Sequence, residues 1–252
     1  MALIDSHCHL DDDRFDESRD EVLAQARAAG VTRVVVPATT ANRWEKVQQV
    51  CRQPGCHAAY GLHPMFVQQH HLAHLRELDE WLERERPVAV GECGLDFFQS
   101  RVDEKWQKQL FVDQLVLAAS YGLPVIVHAR KAMDEVIQLL RKHARNGGVV
   151  HSFAGSEQQA RQLFDHGFKL GIAATVGFAR AQKLRAVVAS MPDQALLLES
   201  DAPDQPGAAH RGDLNQPAFI VEHLQVMADL RQVSFTDLAS QLTHNAEQLF
   251  DI

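Results

Sequence analysis

The sequence is poor in cysteine and has no long apolar run. Its 252 residues include only four cysteines, Cys8, Cys51, Cys56 and Cys93. So few cysteines exclude a disulfide-stabilised secreted scaffold and are typical of free thiols in a reducing compartment. No stretch approaches the roughly 18 apolar residues that a membrane helix needs. The first residues also lack the basic and apolar regions of a signal peptide. We therefore expect a cytoplasmic protein that is not bound to a membrane.

Positive charge is scarce as well. Lysine and arginine number 25 against 33 aspartates and glutamates, which gives a net charge of −8. Proteins that passively coat nucleic acids neutralise phosphate with a basic face, and this composition argues against such a role. Chemistry on a phosphate-bearing substrate would require local positive charge, which bound metal ions can supply.

The glycine-rich and serine-centred motifs of other enzyme classes are absent. Neither G-x-G-x-x-G nor G-x-x-x-x-G-K-[ST] occurs, so a doubly wound nucleotide-binding sheet, the rival fold, has no phosphate loop to support it. The G-x-S-x-G elbow of serine hydrolases is also missing, which disfavours a serine nucleophile.

The sequence does contain a regular series of short apolar runs, each followed by a helical stretch. The eight runs span residues 2–5, 31–38, 57–63, 87–92, 123–129, 147–152, 167–174 and 195–201. Their mean spacing of about 31 residues is the size of one βα unit. Apolar strands that alternate with amphipathic helices predict a parallel sheet covered on both faces. Eight such units most simply close into an α/β, TIM-like (β/α)8 barrel, here a single domain over residues 1–252.

Metal-ligating side chains fall where these runs end. They are His7, His9, His63, Glu92, His128, His151 and Asp201. In a barrel the carboxyl ends of the strands form the face that carries active sites, so we expect these side chains to converge. Nitrogen and oxygen donors suit Zn²⁺, Mn²⁺, Co²⁺ or Ni²⁺, whereas Mg²⁺ prefers more oxygen. The sequence thus predicts a divalent-metal site.

The spacing also suggests how two ions could be shared. His7 and His9 lie two positions apart and would point to the same side of a strand, so they can hold one ion together. Glu92 has two oxygens and can bridge two ions. Asp201 would complete the first ion, and His128 with His151 would hold the second. A lone histidine at a strand end is more often a hydrogen-bonded structural residue, and only the joint occurrence favours metal. By contrast, we expect His70, His71 and His74 to be solvated in a polar helix start.

Several motifs together resemble the TatD family of metal-dependent deoxyribonucleases, a branch of the amidohydrolase-like metallo-barrels. They are "DSHCHLD", "GLHP", "GECGLD", "HAR", "HSFAG", "ESDAP", "RGDLNQP" and "THNAEQLF", and they extend from Asp5 to Phe250. The resemblance implies a TIM-like barrel with a two-metal centre. One ion would be held by His7, His9, Glu92 and Asp201, and the other by Glu92, His128 and His151. It also implies cytoplasmic hydrolysis of DNA phosphodiesters, in some members from the 3′ end.

Two positions depart from the pattern that the resemblance implies. Asp204 follows Pro203 where the family often has an aromatic residue, and Asp213 follows Gly212 where a basic residue is usual. Both changes add negative charge near the expected mouth of the site. They leave open an enzyme adapted to another phosphoester.

The predicted chemistry is metal-assisted hydrolysis, in which hydroxide from a water between two ions attacks phosphorus in line. Besides the bridging Glu92, Asp201 is the candidate general base. His63 and Arg130 would hold phosphate oxygens, although Arg130 could equally form a structural ion pair. Asp96 could orient a ligand histidine or simply cap a loop.

Alternatives to a deoxyribonuclease remain at this stage. The same metal centre could hydrolyse small phosphoesters, or amide or carboxylic ester bonds. A non-catalytic protein that binds metal or nucleic acid is another alternative, and the acidic composition argues against passive binding of nucleic acid. The expected partner is therefore a transient DNA or phosphoester substrate.

Overall fold

The computed structural model describes residues 2–252 and arranges eight parallel strands side by side in one sheet in chain order. The strands are β1 (Leu3–Asp5), β2 (Val31–Pro37), β3 (Cys56–Tyr60), β4 (Ala89–Asp96), β5 (Val125–Arg130), β6 (Gly148–Val150), β7 (Phe168–Ile172) and β8 (Leu196–Leu198). Strands in this order with helical crossovers confirm the predicted TIM-like barrel.

Helices occupy the connections between the strands and surround the sheet. They are α1 (Arg19–Ala28), α2 (Trp44–Val50), α3 (Leu72–Glu85), α4 (Glu104–Tyr121), α5 (Met133–His143), α6 (Glu157–Asp165), α7 (Gln182–Ser190), α8 (Ile220–Arg231) and α9 (Phe235–Phe250). A large apolar cluster lies between these helices and the strands. None of the helices formed by residues 2–252 is long and apolar enough to cross a membrane.

The barrel interior is apolar until the strands approach their carboxyl ends. Its buried side chains are Ile4, Val35, Ala59, Ala89, Ile126, Val149 and Leu197, and Ala246 and Phe250 of α9 pack against them. Most of these residues lie a few positions before a polar residue of the predicted site, as Ile126 does before His128. The strands therefore pass from an apolar layer to a polar layer, and the polar side chains collect at one end of the barrel.

The barrel closes between its first and last strands through segments that lie beyond the strand ends. The Ser6 N–H donates to the Leu198 carbonyl oxygen at 3.0 Å, and the Asp201 N–H donates to the His7 carbonyl oxygen at 2.9 Å. Two of the residues that join the first strand to the last, His7 and Asp201, are therefore also predicted metal ligands.

Two buried glutamines of α4 hold the ends of β3 and β4. Gln114 Oε1 accepts the Leu62 N–H at 2.7 Å, and Gln114 Nε2 donates to the Leu62 carbonyl at 3.2 Å. Gln107 makes the same pair of bonds with Asp96, at 2.9 and 3.0 Å. The two glutamines are seven positions apart, so they lie on one face of the helix. Each side-chain amide therefore makes the two backbone hydrogen bonds that a neighbouring strand would otherwise make.

Strand β3 ends at Tyr60, earlier than the predicted run that reached His63. The reason is that both backbone groups of Leu62 bond to Gln114 and leave none for a strand partner. Strand β4 instead continues past Glu92, because residues up to Asp96 pair with β5.

We predict that Gln114→Ala lowers the free energy of unfolding by about 2 kcal/mol, because it leaves the buried backbone groups of Leu62 without partners. Gln109→Ala is the matched control, since Gln109 lies on the exposed face of the same helix and bonds only to Asp113. It should change stability by less than about 0.5 kcal/mol. Urea denaturation followed by circular dichroism measures both. Equal stabilities of the two variants would contradict the role of Gln114.

Candidate metal centre

Glu92 lies at the centre of the polar layer and is fully buried. Its Oε1 atom lies 2.8 Å from His63 Nε2, 3.0 Å from His128 Nδ1 and 2.7 Å from His151 Nε2. One carboxylate oxygen therefore contacts histidines that come from three different strands or the loops after them. A buried carboxylate is costly unless positive charge or donors surround it, and here imidazoles do.

The second oxygen of Glu92 faces the histidines of the first segment. Oε2 lies 3.1 Å from His7 Nε2 and 3.5 Å from His9 Nε2. The two Nε2 atoms are themselves 3.3 Å apart, and Asp201 Oδ1 lies 3.6 Å from the first and 3.8 Å from the second. Two imidazoles and two carboxylates thus aim at one small volume.

Contacts behind the histidines fix which ring nitrogen carries a proton. His9 Nδ1 lies 3.2 Å from the Pro37 carbonyl oxygen, which can only accept, so Nδ1–H donates. His128 Nε2 likewise donates to Asp96 Oδ2 at 3.0 Å. In the neutral rings the other nitrogens, which face Glu92, then carry lone pairs. Lone pairs aimed at carboxylate oxygens suit a cation between them, so the donor set fits a divalent metal.

His63 differs from those two histidines. Its Nδ1 accepts the Met65 N–H at 3.0 Å, so in the neutral ring the proton is on Nε2, which faces Glu92. Burial lowers the pKa of His63 to about 4, which keeps the ring neutral. His63 is therefore poised to donate a hydrogen bond. Its carbonyl is held by His70 Nε2 at 2.9 Å, and the expectation that His70 is solvated is wrong because the ring is buried.

The electrostatics of the cluster favour positive charge beside Glu92. Burial raises the pKa of the Glu92 carboxyl, but His151, His63 and His7 outweigh it and hold that pKa well below its usual range. Burial opposes a proton on His151, yet Glu92 raises the pKa of that ring to about 10. His7 goes the other way, because burial lowers its pKa to about 4. The site accommodates a positive charge, whether a proton or a cation carries it.

Three sets of donors have ligand atoms close enough to share an ion, within 4.8 Å of one another. The sets are His7, His9 and Asp201; His7, Glu92 and His151; and His63, Glu92 and His128. Together they contain all six predicted ligands and add only His63. The six side chains come from five strand ends, and the structure brings them to one place.

Glu199 is a buried acid of the site that the sequence reasoning missed. Its Oε1 accepts the Ser152 N–H at 2.5 Å and lies 3.9 Å from His151 Nδ1. Burial raises the pKa of its carboxyl to about 8. A Cβ atom on Gly171 would lie 2.0 Å from Glu199 Oε2, so only glycine leaves room for the carboxylate. An acid within the apolar run "LLLES" was the signal, because such a charge is rarely buried without a purpose.

Asp5 is a second residue that was missed, and it acts across the closure of the barrel. Its carboxylate accepts the Ser200 N–H at 2.9 Å, the Ser200 hydroxyl at 2.6 Å and the His7 N–H at 3.2 Å. Burial raises the pKa of this carboxyl to about 7. Asp5 therefore fixes the backbone of His7 relative to the segment that carries Asp201.

Most of the candidate ligands line a cleft of about 870 Å³. Asp204, which was expected to add negative charge there, forms a two-bond ion pair with Arg14 at 3.0 and 3.1 Å. Arg14 also bonds to Asp12. One cation is thus shared by two carboxylates, so Arg14 offsets only part of the negative charge that Asp204 and Asp12 add there. An exposed pair of this kind also contributes little to stability.

Arg130 also lines the cleft, and its surroundings differ from those of Arg14. Among residues 2–252 no carboxylate oxygen lies within 4.0 Å of its side-chain nitrogens. The structural ion pair that the sequence left open does not form within that distance. Its guanidinium carbon lies 3.7 Å from the centre of the Phe98 ring instead.

Known proteins share this architecture over the whole chain. The family described as "TatD related DNase" matches residues 4–251. YjjV of Escherichia coli K12, named as an uncharacterized metal-dependent hydrolase, is 39% identical over 256 residues, which cover 99% of this chain and 98% of the relative. The crystal structure of that TatD homologue gives a TM-score of 0.95 at 38% identity and covers 99% of this chain and 98% of its own.

A second relative carries a more specific name. The 3′-5′ ssDNA/RNA exonuclease TatD of a Pantoea species is 32% identical over 259 residues, which cover 98% of this chain and 99% of the relative. These similarities confirm the resemblance that the motifs predicted. The chain belongs to the TatD-related DNase family of metal-dependent hydrolases.

Proposed function

We propose that this enzyme hydrolyses phosphodiester bonds of single-stranded DNA or RNA with two divalent cations. The observation that carries the proposal is the placement of Glu92 between two groups of nitrogen donors, in the lining of a cleft that Arg130 also lines. The name of the Pantoea relative supports the choice of substrate. An anionic substrate also agrees with a site that favours positive charge.

The two ions are assigned by the direction of the donor atoms. His7 and His9 lie beside Glu92 Oε2 and near Asp201, so these four residues would hold the first ion. His128 and His151 lie beside Glu92 Oε1, so they and Glu92 would hold the second. His63 is left out because its Nε2 carries a proton in the neutral ring. When bound, such cations neutralise phosphate oxygens and lower the pKa of a water molecule.

Individual side chains of the cleft have separate roles in the proposed hydrolysis. Asp201 accepts the proton of the attacking water, because its carboxylate borders the cleft beside His7 and His9. Gln205 Nε2 donates to Asp201 Oδ2 and so fixes the carboxylate orientation. The Arg130 guanidinium group, which lines the cleft, holds an oxygen of the phosphate. His63 also lines the cleft, and its Nε2–H, which faces Glu92 Oε1 at 2.8 Å, would exchange that acceptor for a second phosphate oxygen when cations bind Glu92. Asp96 holds His128 from behind.

The location follows from the cysteines. All four are free, and Cys8, Cys56 and Cys93 are buried. Free thiols are typical of a reducing compartment, so the proposal includes a cytoplasmic location.

We predict that Glu92→Gln impairs binding of both ions, because it removes the charge that the two donor groups share. His128→Ala should weaken only one site. Metal content by mass spectrometry and calorimetric titration with Mn²⁺ or Zn²⁺ should show two equivalents bound to the wild type. Affinity should fall by more than about tenfold in the variants.

His71→Ala is the matched control for these titrations, because His71 is exposed and lies outside the three donor sets. It should bind both ions as the wild type does. One equivalent in the wild type, or two in Glu92→Gln with unchanged affinity, would contradict the assignment.

We predict that Asp201→Asn lowers kcat by a factor of about 10² to 10⁴, because an amide cannot accept the proton of the attacking water. The measurement is cleavage of a labelled single-stranded oligonucleotide, with the fold checked by circular dichroism and the metal content measured on the same sample. A kcat near that of the wild type, with metal still bound, would remove Asp201 from the role of base.

A further inference from the structure

Phe98 is exposed beside Arg130, a residue that lines the cleft, although its neighbour Phe97 is buried. In the stretch "GLDFFQS" the relative exposure of Phe97 is 7%, whereas that of Phe98 is 53%. A single exposed aromatic residue is common in proteins and carries no meaning alone. Phe98, however, is held in place by two residues that belong to the site.

The first of these residues is Asp96. Its Oδ1 atom accepts the Phe98 N–H at 2.9 Å, while its Oδ2 atom contacts His128 at 3.0 Å. The backbone of Phe98 is therefore fixed to the same carboxylate that orients a predicted metal ligand.

The second residue is Arg130, whose guanidinium carbon lies over the Phe98 ring at 3.7 Å. None of its side-chain N–H groups donates to another group among residues 2–252, in contrast to the fully engaged Arg14. A guanidinium group stacked on a ring keeps its N–H donors in its own plane, where they can bind phosphate oxygens. One face of the ring is thus covered by a cation that also lines the cleft.

We propose that Phe98 and Arg130 form a nucleotide-binding platform, on which a base of the substrate stacks against Phe98 while Arg130 binds the adjoining phosphate. The inference rests on the proposed function of the cleft and adds a binding residue to it. A nucleic-acid strand alternates flat apolar bases with anionic phosphates, and the platform offers an aromatic ring beside a free cation. Every base has a π-face, so the platform binds with little sequence preference.

The other wall of the cleft supports the same ligand. Met65 and Phe66 follow β3 and line the cleft, and Met65 has a relative exposure of 52%. Polarisable and aromatic side chains beside the candidate metal ligands match the mixed apolar and charged surface of a nucleotide. A substrate with a phosphate but no base would leave this apolar surface without a partner.

The test compares ordinary single-stranded oligonucleotides with ones that are abasic at each of the last three 3′ positions in turn. For the metal-loaded wild type, we expect KM to rise by about tenfold when the base that stacks on Phe98 is removed. In Phe98→Ala the ratio of the two KM values should fall to about one, and Phe98→Trp should restore it. A ring that only stabilises the loop would not respond to the base of the substrate.

Val102→Ala is the matched control, because Val102 lies in the same loop with a relative exposure of 88% and does not line the cleft. It should keep the wild-type ratio. A Phe98→Ala enzyme that still distinguishes abasic from ordinary substrate as the wild type does would overturn the platform and leave the nuclease proposal intact. A wild type that cleaves none of the oligonucleotides under metal-replete conditions would overturn the proposed function, and the platform with it.

Discussion

The buried carboxylate of Glu92 is the constraint on which the rest of this end of the barrel depends. Five histidines lie within 3.5 Å of its two oxygens. These histidines come from four separate parts of the sequence. A buried carboxylate needs hydrogen-bond donors or cations around it, and no single segment could supply them on every side. The barrel meets this requirement because the carboxyl ends of several strands, and the loops that follow them, lie at the same end of the fold. Its topology and its chemistry are therefore linked through one side chain.

Support for this carboxylate extends outward in steps to the helices. Gln107 of α4 bonds to both backbone groups of Asp96, and Asp96 in turn bonds to His128, which contacts Glu92. Such a series fixes the ring orientation of the histidine by hydrogen bonds instead of loose packing. A helix on the outside of the barrel thus contributes to the geometry of the centre.

The sequence predicted the barrel and the convergence of the polar residues because both depend on local pattern. Apolar runs of strand length recur at the spacing of a βα unit, and a parallel arrangement puts their carboxyl ends on one face. The exact end of β3 could not be predicted, because it depends on Gln114, which is 52 positions from Leu62. The absence of an ion pair at Arg130 and the burial of His70 also depend on tertiary contacts, which the local sequence pattern does not contain. Asp5 and Glu199 escaped notice since each sits beside an apolar run that looks like ordinary core.

The closure of the barrel has a consequence for the order in which the protein becomes functional. Asp5 and Ser200, whose contact accompanies that closure, are 195 positions apart in the chain. Contacts between such distant positions carry a large loop-closure cost and tend to form late in folding. A partly synthesised chain therefore contains His7 and His9 without the acid that completes their donor set. The donor set of His7, His9 and Asp201 is therefore complete only after the last strand has joined the first.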